Sequence, residues 1–162
     1  MSGGLNENLE TTIPSYLTAR PTRDPLMAGQ LLATKKWWRL RRNDFEMFTS
    51  QLVLNEAARG DAAAAARRLR ILAPIQKLRV TPEADALAAS IFQSHLLPAK
   101  AADDVFHIAT ATVSEMHFLL AWNCTHINNR EMIPGIERVC ADSGYRLPVI
   151  CTPLELMGVS DI

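Results

Sequence analysis

The sequence predicts an α/β domain built on a mainly parallel sheet. Two observations carry this. Short apolar runs that read as strands ("FEMFTS", "HFLLAW", "LPVICTP") alternate with longer segments that read as capped helices, the pattern of repeated βα units. The chain also has single-domain length, 162 residues, with 48% hydrophobic and 21% charged residues, the balance of a protein with a packed core.

Residues 1–8 read as a disordered start, 9–157 as one domain and 158–162 as a short tail. "LNENLE" is poorly patterned; a strand ending there would leave Glu10 at its carboxyl end. In "TTIPSYL", Thr11 or Thr12 is a candidate helix cap, with Pro14 in the first turn. After "RPTRDP" breaks the chain, Asp24 caps a helix that opens on Pro25 and ends in a basic stretch. "FEMFTS" is a strand, and Ser50 caps "QLVLNEAARG", closed by Gly60. Asp61 caps the alanine-rich helix that Pro74 stops. "KLRV" is a short strand, and "TPEADALAASIFQSHLL" a helix with a Thr-Pro start. "PAKAADDVFHIATATVSEM" is a helix and "HFLLAW" a buried strand. "IPGIERVCADSG" is a helix closed by Gly144, and "LPVICTP" the last strand.

Lys+Arg and Asp+Glu both number 17, so net charge offers no argument for nucleic acid and any such argument must be local. Three cysteines, Cys124, Cys140 and Cys151, fit a reducing compartment. The first residues have neither the basic nor the apolar region of a signal peptide, and no apolar run is long enough to cross a bilayer. The expectation is a cytoplasmic protein without membrane contact.

In open parallel sheets, ligands bind beyond the carboxyl ends of the strands. Carboxylates gather there in the expected topology. Glu10 ends the first strand, and Glu56 stands in the helix after "FEMFTS". Asp103 and Asp104 open the helix before "HFLLAW", and Asn123 follows that strand. Asp103 and Asp104 also suit the positive end of a helix dipole, which explains either without a site. A cluster, however, is costly to ionise unless a cation compensates it. Mg²⁺ takes oxygen ligands and can polarise a phosphoryl oxygen, which suits phosphodiester cleavage.

The ordered set "LETTIPSYLTARP", "SQLVLNEAARGD", "KAADDVFHIATA", "FLLAWNCTHINN" and "PVICTPLEL" resembles PIN-domain proteins, in particular the VapC-like branch of toxin–antitoxin ribonucleases. The resemblance implies a three-layer α/β/α fold with a central parallel sheet. It also implies a pocket of acids that holds Mg²⁺ or Mn²⁺ and cuts RNA. Carried over, Glu10 takes the place of the first acid, with Thr12 as its supporting hydroxyl. Glu56 matches the second acid, Asp104 the third, three residues before the His-Ile-Ala of "HIA", and Asn123 stands where the fourth acid would be. Glu10 is one methylene longer than the usual Asp, and Asn123 offers a carbonyl without charge. Both departures read as a subtype. The resemblance further suggests an antitoxin partner and a homodimer, with an interface on the apolar surface of the first helices.

Asp103 reads as the helix-start residue or an acid supporting Asp104. His107, one helical turn after Asp104, reads first as a core histidine and second as a carboxylate's hydrogen-bond partner. Cys124 and His126 form a lone C-x-H pair, too few ligands for zinc, and His126 reads instead as a supporting residue facing the substrate. Arg20 and Arg23 are placed to meet a phosphate. "KKWWRLRR" could bind RNA through charge and stacking, but reads slightly better as a helix with buried tryptophans and a solvated basic face. "RRLR" at Arg67 to Arg70 is a weaker candidate. The leading expectation is a Mg²⁺- or Mn²⁺-dependent endoribonuclease. The alternative is a catalytically weak or inactive PIN-fold module that binds RNA or protein. A nucleotide-binding enzyme is poorly supported, because neither G-x-G-x-x-G nor a P-loop occurs.

Overall fold

The structure is a computed structural model that describes residues 4–158. Residues 1–3 of the expected disordered start and 159–162 of the expected tail lie outside the described residues. The chain runs β1 (Leu5–Leu9), α1 (Thr12–Thr18), α2 (Pro25–Arg41), β2 (Phe45–Ser50), α3 (Gln51–Ala57), α4 (Ala62–Leu72), β3 (Gln76–Leu78), α5 (Pro82–Gln93), α6 (Ala102–Val113), β4 (Phe118–Leu120), α7 (Ile133–Asp142) and β5 (Val149–Cys151).

Cap chemistry sets most of the helix starts. Asp24, Ser50, Asp61 and Thr81 each accept a hydrogen bond from a backbone N–H inside the helix that follows, satisfying donors that have no partner within the helix. Gly144, closing α7, adopts φ +86°, a conformation that L side chains rarely take.

The five strands form one all-parallel sheet in the order β3-β2-β1-β4-β5. Parallel neighbours need a crossover, and each crossover here carries helix. Helices α1 to α4 cover one face, packing Ile13, Trp37, Val53 and Leu72 onto Leu9, Leu120 and Cys151. Helices α5 to α7 cover the other, packing Leu87, Ile108 and Ile136 onto Phe48, Leu119 and Ile150. The fold is therefore a three-layer α/β/α domain. All three tryptophans, Trp37, Trp38 and Trp122, pack on the α1–α4 side.

The structure corrects the expected boundaries. The domain begins by Leu5, inside the segment read as a disordered start, because β1 is a central strand bonded on both sides. Its buried positions include Glu7 and Asn8, which hide the apolar signature of a central strand. Glu7 is fully buried, neither of its carboxylate oxygens has a partner among the described residues, and burial pushes its pKa up to about 8 against the pull of Arg41. Strand β3 starts at Gln76 and stops at Leu78, two residues before the end of "KLRV". Helix α5 ends at Gln93, where His95 turns to φ +57°. The next expected helix is split into a 3-10 turn at Ala99–Ala101 and α6, which stops at Val113.

Candidate acidic site at the sheet switch point

Along the chain the sheet grows from β1 outward to β2 and β3, then returns to β1's other side for β4 and β5. The reversal makes the carboxyl ends of β1 and β4 a topological switch point, the place where open α/β sheets bind ligands. Leu9 and Leu120 are register partners, and the Glu10 N–H donates to the Leu120 carbonyl at 3.1 Å. Glu10 therefore leaves β1 at the switch point, and Asn123 lies three residues past β4.

Glu10 is 4% exposed. Its Oε1 accepts from the Thr12 backbone N–H at 3.0 Å and the Thr12 hydroxyl at 2.5 Å. The carboxylate is thereby folded back over its own turn, which takes up the extra methylene. Thr12 Oγ1 also accepts from the Trp122 N–H at 2.9 Å, so one hydroxyl ties the end of β1 to the end of β4. Trp122 is itself held by its indole N–H, which donates to Thr34 Oγ1 at 2.7 Å, and by stacking on Tyr16.

Glu56 projects from α3, one helix beyond β2. Its Oε1 accepts from the Thr11 hydroxyl and bonds His107 Nε2 at 2.8 Å. Thr11 precedes α1 but does not cap it with its side chain, because that hydroxyl is engaged by Glu56. His107 is 2% exposed on α6. It is thus both a core histidine and a carboxylate partner. Asp104, a turn earlier on α6, accepts from Asn123 Nδ2 at 3.1 Å on Oδ1 and bonds His126 Nδ1 at 3.1 Å on Oδ2.

The Asn123 amide is oriented from both ends. Its Oδ1 accepts from the His126 backbone N–H at 3.2 Å while its NH₂ points at Asp104. The side chain expected to offer a carbonyl to a cation instead offers hydrogen to a carboxylate.

Burial raises the Glu10 pKa, assisted by the negative charge of Glu56 and opposed by His107 and by both Thr12 bonds. For His107, burial disfavours the cation. The Glu56 bond and the charges of Glu56, Glu10 and Asp104 outweigh it and raise the pKa. Burial would also raise Glu56, but His107, the Thr11 hydroxyl and Arg59 bring it below the ordinary range. His107 therefore lies within the fields of all three acids, which favour its charged form.

The structure brings Glu10, Thr12, Glu56, Asp104, His107, Asn123 and His126 into one connected neighbourhood. Asp103 is excluded from it; half-exposed, it faces the Arg59 guanidinium at 4.0 Å. Arg20 is exposed on a neighbouring cleft, and Arg23 is exposed in the α1–α2 connection. Cys124 is exposed and free, and His126 Nδ1 is bonded to Asp104. Trp37 is fully buried and Arg42 stacks on Trp38 at 5.1 Å, so the basic tryptophan segment is a packed helix face.

Sequence reasoning missed Thr11 as a Glu56 partner, and the Trp122–Tyr16 pair as the wall beside Glu10. The signal for Thr11 was present in the adjacent pair "TT", which offers a second hydroxyl beside the one that serves Glu10.

The donor set suits a hard divalent cation: three carboxylates, with the protein bonds on Glu10 and Glu56 falling on Oε1 and neither occupying Oε2. Among the described residues, no three His, Cys, Asp or Glu side chains already converge as a cage for a metal ion. The chain matches no protein-family model and no curated protein.

Proposed function

We propose that this chain is a metal-dependent endoribonuclease of the PIN type, hydrolysing RNA phosphodiester bonds as the toxin of a toxin–antitoxin pair. The observation that carries the reading is the gathering of Glu10, Glu56 and Asp104 with His107 at the switch point of a parallel sheet. Glu10, Glu56 and Asp104 would hold Mg²⁺ or Mn²⁺ through carboxylate oxygens. When bound, the ion supplies Lewis acidity to a phosphoryl oxygen and lowers the pKa of a water.

The chain's own groups do the rest. Thr12 fixes the Glu10 carboxylate, and Thr11 with His107 fixes that of Glu56. Asn123 and His126 orient Asp104, the first through Oδ1 and the second through Oδ2. Trp122 and Tyr16 wall the site on one side. Such orienting partners typically matter 10- to 100-fold in affinity or activity.

Leu26, Leu32 and Leu40 stand exposed along α2, which supports an antitoxin or homodimer interface there. No helix among the described residues is long and apolar enough to cross a membrane; a cytoplasmic site of action belongs to this reading.

The test is cleavage of labelled single-stranded RNA with Mn²⁺, with and without chelator. Asp104→Ala is expected to reduce the metal-dependent rate by more than about 100-fold, the upper end for loss of a group that only orients a ligand. Equal cleavage by the wild type and the variant would place the activity elsewhere. A second reading, a binding module without cleavage, draws on the commitment of both Asp104 oxygens to protein partners. Calorimetric titration with Mn²⁺ separates the two: RNA binding without metal binding favours the module.

A further inference from the structure

We propose that the cleft between α1 and α4 is a phosphate-binding track for the RNA strand that flanks the acidic site. The choice of RNA rests on the ribonuclease reading; the cleft's affinity for a polyanion rests on its own residues. The cleft encloses about 500 Å³. Ser15, Thr18 and Arg20 line it from α1 and its end, and Asp61, Arg67 and Arg68 from the cap and the middle of α4.

Charge on the lining is one-sided. Three guanidiniums face one carboxylate, and that carboxylate already accepts from the Ala64 N–H at 2.9 Å as the α4 cap. Arg68 is locked in place, its Nε donating to the Ala57 carbonyl at 3.0 Å and its Nη2 to that of Arg59 at 2.6 Å. Arg20 and Arg67 have no hydrogen-bond or ion-pair partner among the described residues. Two uncommitted cations beside a fixed third, with the Ser15 hydroxyl between the helices, suit the repeated oxygens of a phosphodiester chain, while the Thr18 hydroxyl donates to the Pro14 carbonyl at 2.8 Å and serves only as lining. Ala19 and Ala64, also on the lining, keep it open.

The cleft adjoins the acids. The Thr11 hydroxyl holds Glu56, and the Ser15 N–H donates to the Thr11 carbonyl at 3.2 Å. Thr11, Ser15 and Thr18 therefore follow one face of α1, as residues three and four apart do. At about 1.5 Å per residue, the cleft begins roughly 6 Å along the helix from Thr11 and reaches about 10 Å. Arg68 also grips the end of α3, the helix that carries Glu56. A strand with one phosphate at the acids passes its neighbours across the arginines. A second basic cavity, lined by Trp38, Arg42 and Arg70, borders Met47 and Gln76. It sits by the first half of β2 and the start of β3, away from the carboxyl ends of β1 and β4.

The experiment is fluorescence anisotropy with a labelled single-stranded RNA of mixed sequence, in chelator so that no cleavage occurs. Three proteins are compared: wild type, the double variant Arg20→Glu/Arg67→Glu, and the charge-matched control Arg42→Glu/Arg70→Glu. The cleft variant should bind at least about tenfold more weakly than the control and lose about 1.4 from the slope of log K against log salt, for two phosphate contacts on a single strand. Arg20→Gln/Arg67→Gln, which adds no negative charge, should move both readouts the same way, with circular dichroism verifying the fold of each variant. Equal loss in the cleft and control variants, or no RNA binding by wild type, overturns the proposal. Cleavage assays run alongside keep the two readings separate. Binding through the cleft without metal-dependent cleavage by wild type supports the track and sinks the nuclease. Cleavage with binding unchanged in the cleft variant does the reverse.

Discussion

Glu7 is the residue most at odds with its surroundings: a fully buried carboxyl in a central strand, with no partner for either oxygen among the described residues. Its folded pKa, about 8, lies above the ordinary 4.5. Between those values the native state keeps a proton that the unfolded state has released. Stability therefore falls as pH rises through that window and levels off above it. Glu7→Gln should flatten the fall and raise stability at pH 7 by up to about 3 kcal/mol, measured by urea unfolding at several pH values. A variant with the wild-type pH profile would show that Glu7 is ionised in the fold. The residues of the acidic site were more legible than Glu7. Glu10 follows the end of β1, and Glu56 and Asp104 stand on helices that flank the strands, positions that the alternation of strands and helices makes readable. The direction of the Asn123 amide was not legible, because it is decided by the His126 backbone N–H, which only the folded loop after β4 presents.

At the scale of elements, local chemistry wrote the boundaries wherever a cap could be read. Asp24, Ser50, Asp61 and Thr81 open their helices as expected. Asp24→Ala should therefore cost about 1 kcal/mol, the ordinary value of such a cap, seen as a lower urea midpoint with unchanged slope. An unchanged midpoint would mean that Pro25 and the packing of Trp37 fix the start of α2 without it. Elements whose boundaries depend on distant partners were less legible. Strand β1 is a strand because β2 and β4 bond it on either side. Strand β3 is short because only Gln76 to Leu78 find β2 partners. Neither fact is written in the patterning of "LNENLE" or "KLRV".

For the whole molecule, alternation of strands and helices was enough to read an α/β class, but not to deal the helices onto faces; strand order does that. The outcome is a sheet with a separate apolar layer on each side. Both layers share the same strands, so losing one removes the support of the other. Leu9→Ala on the α1–α4 side and Ile108→Ala on the α5–α7 side should each cost about 2–5 kcal/mol. Each should leave a single calorimetric transition with matching van't Hoff and calorimetric enthalpies. A split transition in either would make the layers separate cooperative units. The same asymmetry of layers has an optical consequence. With every indole on the α1–α4 side, indole emission watches one half of the sandwich and ignores the other. Trp122 lies one hydroxyl away from Glu10 and is stacked on Tyr16, so the molecule carries a built-in lamp at its acidic site, able to report what arrives there without any dye.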